Sequence, residues 1–537
     1  MRLDELTIAE FKNLRNITVN FDERSPYTVL VGENGAGKSN VIEALSLIFR
    51  NLDLEWEAPF TYTLSYRCRR TRIRVVAERD EFPKFFVGAS TEADGYSEIS
   101  RKEFMRDGSD GRPLYRPAFV FGYYSGPSDR LASLYEKHRE RYYNWIIKPA
   151  ASRGGRVVDP NSLRRLFYAQ TVHGQFALLA FFMAPGVDSD SDQAFLREHL
   201  QIEGLDSVLF ALKRPPWRRS GGDPRFWNAE GDVREFLSCL YKEALLPTRM
   251  DRRIALDLTK NPSVESLYLF LPSPEALARV YQSYNDQYAF FTALESTHLS
   301  KLLGEVRTRV RMTPEAGGRP VTYRDLSEGE QQLLLVLGLL RFTARDEALF
   351  LLDEPDTHLN PAWSTQYLDF LDRFIHNKET CHIVMSTHDP LVFAGLERSQ
   401  VRIFRRDVHA NVVVEVPDQH PRGMGVAAIL TSDLFRLRTT LDVETQQDLD
   451  RERLLVMKSE LTPEEHVELS QIKERLRGRG FPSTIRDPLY ELFVKAWTEK
   501  EDPIRADAVQ LTAEQRQQRA ALADEIVTQL RREQGMS

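Results

Sequence analysis

The stretch from Tyr27 to Arg50 limits what this chain can fold into more than any other part of it. An apolar run, Tyr27 to Val31, leads into Gly32-Glu33-Asn34-Gly35-Ala36-Gly37-Lys38-Ser39, and an amphipathic segment from Asn40 to Arg50 follows. Strand, glycine-rich loop and helix in that order form a phosphate cradle. The loop turns its backbone N–H groups inward, so Asn34, Gly35, Ala36, Gly37 and Asn40 are expected around the phosphates. Lys38 can reach the β and γ phosphates, and the Ser39 hydroxyl can hold Mg²⁺.

A second cluster lies about three hundred residues further on. Leu326-Ser327-Glu328-Gly329-Glu330-Gln331-Gln332 opens an apolar helix that reaches Phe342, and Ala348 to Leu352 then run into Asp353-Glu354. The apolar run reads as a buried strand of a parallel sheet, which delivers Asp353 to the metal at its carboxyl end. Glu354 can polarise an attacking water. Asp356-Thr357-His358-Leu359-Asn360-Pro361 follow, and the strand Cys381 to Ser386 ends in Thr387-His388-Asp389, where His388 is placed to sense a γ-phosphate.

In this order, the phosphate loop, LSEGEQQ, LFLLDEPDTHLNP and MSTHDP resemble the ATP-binding-cassette (ABC) ATPase head. The opening Leu6 to Leu14 is similar to heads of the RecF, SMC and OLD-nuclease group. The resemblance implies an α/β fold: a two-lobed head with a mixed sheet and flanking helices. It also implies ATP and Mg²⁺ as ligands, with Lys38, Glu354 and His388 catalytic and Ser39 and Asp353 on the metal. In such heads ATP lies between two subunits, so Ser327, Gly329 and Glu330 of one copy would cap the nucleotide held by Lys38 of another. A homodimer or higher homo-oligomer follows. Lys12 and Asn13 stand where that group contacts base and ribose. The glutamine of the Q-loop has no counterpart; Tyr124-Ser125-Gly126 occupies its place.

Composition sets the frame. With 537 residues, 42% hydrophobic and 28% charged, the chain can bury two or three cores. No apolar run approaches the roughly 18 residues of a spanning helix, and Met1 to Glu5 lack a signal-peptide pattern, so no membrane is expected. Cys68, Cys239 and Cys381 are too few and too scattered for a disulfide framework or a zinc site, which fits a cytoplasmic protein. The net charge of −7 leaves any nucleic-acid contact to a local patch.

The expected order is a first lobe over 1–126, a mainly helical insertion over 127–300, a second lobe over 301–422 and a helical region over 423–537. The insertion lacks sustained heptads, which excludes a long coiled coil. Asp188 to Asp192 read as a solvated turn. Thr462-Pro463-Glu464-Glu465 combines N-cap, first-turn proline and capping glutamate, which starts a helix; another covers Asp448 to Ser459, so a hairpin is expected. An amphipathic run follows from Arg486 to Trp497. No Toprim carboxylate pattern, His-Asn-His cluster or zinc spacing appears, so no nuclease centre is expected.

Leu430 to Phe435, Thr439 to Asp442, Arg486 to Tyr490 and Tyr123 to Gly126 narrow the resemblance to the stand-alone ATPases of Septu-type anti-phage systems, the PtuA family, and retron-associated relatives. That likeness implies a separate HNH nuclease subunit, PtuB-like, and brings in a retron reverse transcriptase with its nucleic acid as a further partner. A RecF-like ATPase of DNA repair is the alternative. Two basic clusters raise the question of nucleic acid, but Arg67, Arg69, Arg70, Arg72 and Arg74 read first as charge guarding an exposed strand, and the loop of Arg214, Trp217, Arg218, Arg219, Arg225 and Trp227 as partner docking or surface cover.

Overall fold

A computed structural model describes residues 1–88, 95–148, 165–183, 189–218, 220–253, 263–284, 286–343, 347–375, 377–407, 409–458 and 461–480, with 521, 523 and 525–528. The chain divides into two units, Met1–Arg436 and Leu437–Ser537.

The first unit is built on a seven-stranded sheet. Strand Tyr27–Gly32 lies between Val401–Arg406 and Cys381–Ser386, and Ala348–Asp353 lies between Cys381–Ser386 and Phe119–Tyr124, all parallel. Leu166–Tyr168 extends one edge in parallel, and Val412–Glu415 closes the other antiparallel. The central strands are apolar throughout because both faces are covered. Phe350 and Leu352 point into one buried cluster while Leu349 and Leu351 point into the other. Each fully buried side chain of this kind contributes about 1.5–3 kcal/mol. Phe350 also stacks on its cross-strand neighbour Phe121, with centroids 4.9 Å apart. A six-stranded antiparallel sheet made by residues 2–99 packs with the phosphate-loop helix, Lys38–Leu54, on one side of the central sheet.

The described part of 127–300 is richer in helix than in strand, but it also carries strands that the expectation did not include. Helices Ala132–Ile147, Val172–Phe181 and Gly231–Glu243 are present. Three strands, Ile202–Lys213, Thr248–Arg253 and Ser263–Leu271, interrupt them and join Leu303–Met312 and Pro320–Thr322 in a five-stranded antiparallel sheet. No one of these strands says in its own sequence which distant strand it will pair with. The acidic run is no solvated turn either: helix Ser189–Leu200 begins there, and Asp192 is buried against Arg341 at 3.0 Å.

Asp53, near the end of the phosphate-loop helix, anchors the middle segment. It receives Arg116 at 2.8 Å, His138 at 3.0 Å and Arg165 at 3.2 Å. Burial alone would raise its pKa; the His138 hydrogen bond and the two guanidinium groups overcome that and hold it ionised.

The second unit contains the helical hairpin, Val443–Val456 and Pro463–Gly478. Thr462 and Glu465 form the expected capping box. Leu455, Ile472 and Leu476 make its core, and Arg475 reaches Asp448 at 2.6 Å. The stretch from Arg486 to Trp497 lies outside the described residues.

Candidate active site

The phosphate loop sits at the carboxyl end of Tyr27–Gly32, as the strand-loop-helix pattern requires. Two glycines there have no substitute. Gly37 has φ +102, and a Cβ on it would lie 2.5 Å from Leu14 Cδ2; Gly32 has φ +145, and its Cβ would meet the Phe404 carbonyl oxygen at 2.1 Å. The Lys38 ammonium folds onto the carbonyl oxygens of Gly32 (2.8 Å) and Glu33 (3.1 Å). Burial lowers its pKa to about 8, against the opposing charges of Glu354, Asp353 and Glu33. A buried cation whose hydrogen bonds go to two carbonyl oxygens suits a phosphate oxygen in their place.

Asp353 stands two strands away but converges on the same point. Ser39 Oγ donates to Asp353 Oδ1 at 2.9 Å, and Ser386 Oγ donates to the same oxygen. Ser39 and Asp353 therefore fit a shared Mg²⁺, which when bound would neutralise β- and γ-phosphate charge. Arg130, which sequence reasoning missed, reaches Asp353 Oδ2 at 2.6 Å while its guanidinium lies 4.7 Å from the Tyr124 ring centroid. No spacing rule points to it. The Tyr124-Ser125-Gly126 stretch runs beside the site: Ser125 N–H donates to the Asp353 carbonyl at 3.2 Å, and its hydroxyl meets Thr357 Oγ1 at 3.1 Å.

Glu354 leaves the strand with φ +54, which turns its carboxylate away from the sheet and toward His388 Nε2 at 3.4 Å. Burial and the charge of Asp353 raise the Glu354 pKa, while Lys38 and Arg130 pull it back. Burial, then the Lys38 charge, lowers that of His388. A neutral imidazole beside a carboxylate of raised basicity is a pair that can orient and deprotonate water. Asp356, in the turn beyond, is buried and accepts from Thr387 Oγ1; burial raises its pKa to about 7.

The outer residues take more local roles. Asn13 Nδ2 donates to the Gly35 carbonyl at 2.8 Å and its Oδ1 accepts from Asn40 at 2.6 Å, so both asparagines brace the loop. Lys12 pairs with Glu43 at 2.5 Å, and Asn34 is exposed. Arg406, a second residue not foreseen, donates to the Gly35 carbonyl at 3.0 Å from the end of the neighbouring parallel strand. The carboxyl-end rule for parallel sheets could have found it.

The signature helix, Glu328–Thr343, starts elsewhere. Ser327 is exposed, and its N–H and hydroxyl both donate to Glu330, at 2.6 and 2.8 Å. Gly329 is buried, and a Cβ on it would lie 2.4 Å from the His358 carbonyl oxygen. Gln332, also unforeseen, accepts from the His358 N–H at 3.1 Å and donates to the Glu354 carbonyl at 3.5 Å, tying this helix to the turn that carries Glu354. Several members of the two basic clusters are engaged within the chain. Arg69 pairs with Asp110 from the turn after Tyr62–Cys68, while Arg72, paired with Glu23, and Arg74, over Tyr96, lie on Thr71–Ala77, a strand interior to its sheet rather than at its edge. Trp217 donates to the Ser300 carbonyl and Trp227 to Glu265; Arg219 lies outside the described residues.

Two family models match: "AAA ATPase domain" over residues 1–100, and "AAA domain, putative AbiEii toxin, Type IV TA system" over 204–394. The chain has an ABC-type ATPase head. Septu protein PtuA from Bacillus mycoides (strain KBAB4) is 24% identical over 161 residues, which are 28% of this chain. The match spans about a fifth, 22%, of that relative's length. Among solved structures, an SMC head bound to the C-terminal winged-helix domain of ScpA aligns with TM-score 0.31 and 12% identity, over 78% of this chain and 98% of that one. The recombination mediator RecF with a bound ATP analogue aligns with TM-score 0.25 and 14% identity, over 77% and 97%. The head itself rests on the sheet order and on the meeting of Lys38, Ser39, Asp353, Glu354 and His388. Among the described residues, no helix is long and apolar enough to cross a membrane.

Proposed function

We propose that this chain is the ATPase subunit of a Septu-type anti-phage system, closing as a homodimer on ATP and Mg²⁺ and so holding or releasing a separate HNH nuclease. One observation carries the dimer. Lys38, Ser39, Asp353, Glu354 and His388 converge within one chain, whereas the polar contacts of Ser327 and Glu330 are to each other at an exposed helix start. A second copy can bring that start to the phosphates. The short PtuA alignment supports the choice of system, the family resemblance implies the nuclease, and the few scattered cysteines suit a cytoplasmic setting. In the reaction, Glu354 orients and deprotonates water, His388 reports the γ-phosphate, and Lys38 stabilises charge in both substrate and transition state.

The test is Glu354→Gln in the full chain. Turnover should fall roughly 10²–10⁴-fold while ATP binding is kept. The ATP-bound variant should also run as a dimer by light scattering and retain a co-expressed neighbouring HNH nuclease differently with and without ATP. Hydrolysis at the parental rate would remove Glu354 as the base; a nuclease retained equally in both states would remove the control of a partner.

A further inference from the structure

The five-stranded antiparallel sheet has one face in the core and one face in solvent. Val306 and Val310 from Leu303–Met312, Phe210 from Ile202–Lys213, and Leu267 and Leu269 from Ser263–Leu271 are buried. Strand alternation sends their neighbours outward. Phe270, Leu209 and Arg307 are cross-strand partners on this outer face, as are Tyr268, Ala211 and Glu305. Phe270 is 38% exposed, and Tyr268 is half-buried beside a shallow depression of about 330 Å³ that Lys213, Arg252, Arg307 and Arg324 also line.

The charge on this face is lopsided. Glu305 is shared by Arg252 (3.4 Å), Arg307 (3.0 Å) and Arg324 (3.0 Å), so one carboxylate answers three guanidinium groups. Asp206 meets Arg309 at 3.8 Å, and Lys213 and Arg311 add further positive charge. Arg307, Arg309 and Arg311 are exposed at alternate positions of one strand, about 7 Å apart. A chain of net charge −7 has therefore gathered cations on one flat surface with aromatic rings in it.

We propose that this face binds single-stranded nucleic acid, with phosphates on the arginine row and bases against Phe270 and Tyr268. A cationic groove with accessible π-faces is the chemistry of such sites, because every base can stack on an aromatic side chain. A duplex keeps its bases stacked on each other and cannot use the rings. The surface leads directly to the signature: Arg309 pairs across strands with Thr322, and Arg324 lies in the short turn Tyr323–Asp325 that runs into Leu326 and Ser327. A strand bound over Arg324 thus touches the loop that presents Ser327.

The test measures binding of fluorescein-labelled oligo-dT and oligo-U of about 20 nucleotides to the full chain by anisotropy, without ATP. Either oligomer should bind more tightly than a duplex of the same length. Arg309→Ala with Arg311→Ala should weaken binding at least tenfold at low salt and cut the salt slope by about 1.4. Phe270→Ala, at an exposed position, should weaken it roughly tenfold while leaving the salt slope unchanged. Circular dichroism confirms that each variant folds. Parental affinity in either variant, a duplex bound as tightly, or equal competition by polyglutamate, as an acidic protein partner would give, overturns the proposal. Because ATP is absent, such a failure leaves the ATPase reading standing.

Discussion

Lys38 shows what burial does to a single charge. Its pKa of about 8 in the ligand-free protein lies below the ordinary lysine value because burial outweighs the nearby carboxylates. Phosphate favours the charged form, so the sign of the linkage is set: ATP binding above that pH must return a proton to Lys38. At about pH 9 calorimetry in buffers of differing ionisation enthalpy should show uptake of nearly one proton, absent at about pH 6.5. Equal uptake at both would place the proton elsewhere. Arg130 makes a second case. Its 2.6 Å contact with Asp353 puts a cation where Mg²⁺ charge belongs. Arg130→Ala should therefore lower the Mg²⁺ concentration for half-maximal ATPase severalfold, and an unchanged requirement would show that the two cations do not compete.

Among elements, the signature helix is held by close packing as well as by its hydrogen bonds. Gly338 faces Ala177 of helix Val172–Phe181, and a Cβ on it would come within 2.2 Å of the Ala177 Cβ. Alanine improves helix propensity by about 1 kcal/mol, but overpacking a helix contact costs about 1–3 kcal/mol. On balance Gly338→Ala should lower stability by about 1 kcal/mol, read as a lower thermal midpoint. A higher midpoint would mean that the helices part without cost. The Gln332 bridge to the Glu354 carbonyl couples any shift of this helix to the turn that carries Glu354.

For the whole molecule, the decisive question is how the signature meets the phosphates. Ser327→Arg places bulk and charge at an exposed position outside the Lys38 contacts, so it should leave ATP affinity within about twofold while blocking the ATP-bound dimer. Light scattering in the Glu354→Gln background reads this directly. A dimer of undiminished strength would move the interface away from the signature.

The phosphate loop, the Asp-Glu strand, His388 and the capped hairpin after Thr462 were legible because each is a local pattern, whose chemistry is set within a few residues. The five-stranded sheet was not: its partners lie as far apart as Leu209 and Arg307, and alternation alone does not say which strands meet. The same limit hid Arg130, Arg406 and Gln332, whose roles come from the carboxylate or carbonyl that folding brings to them. It also left both basic clusters undecided, since whether an arginine is free for a ligand depends on carboxylates distant in the chain. Local sequence determined which residues can do nucleotide chemistry. Tertiary packing alone decided which charges are already paired and which stand open on a surface.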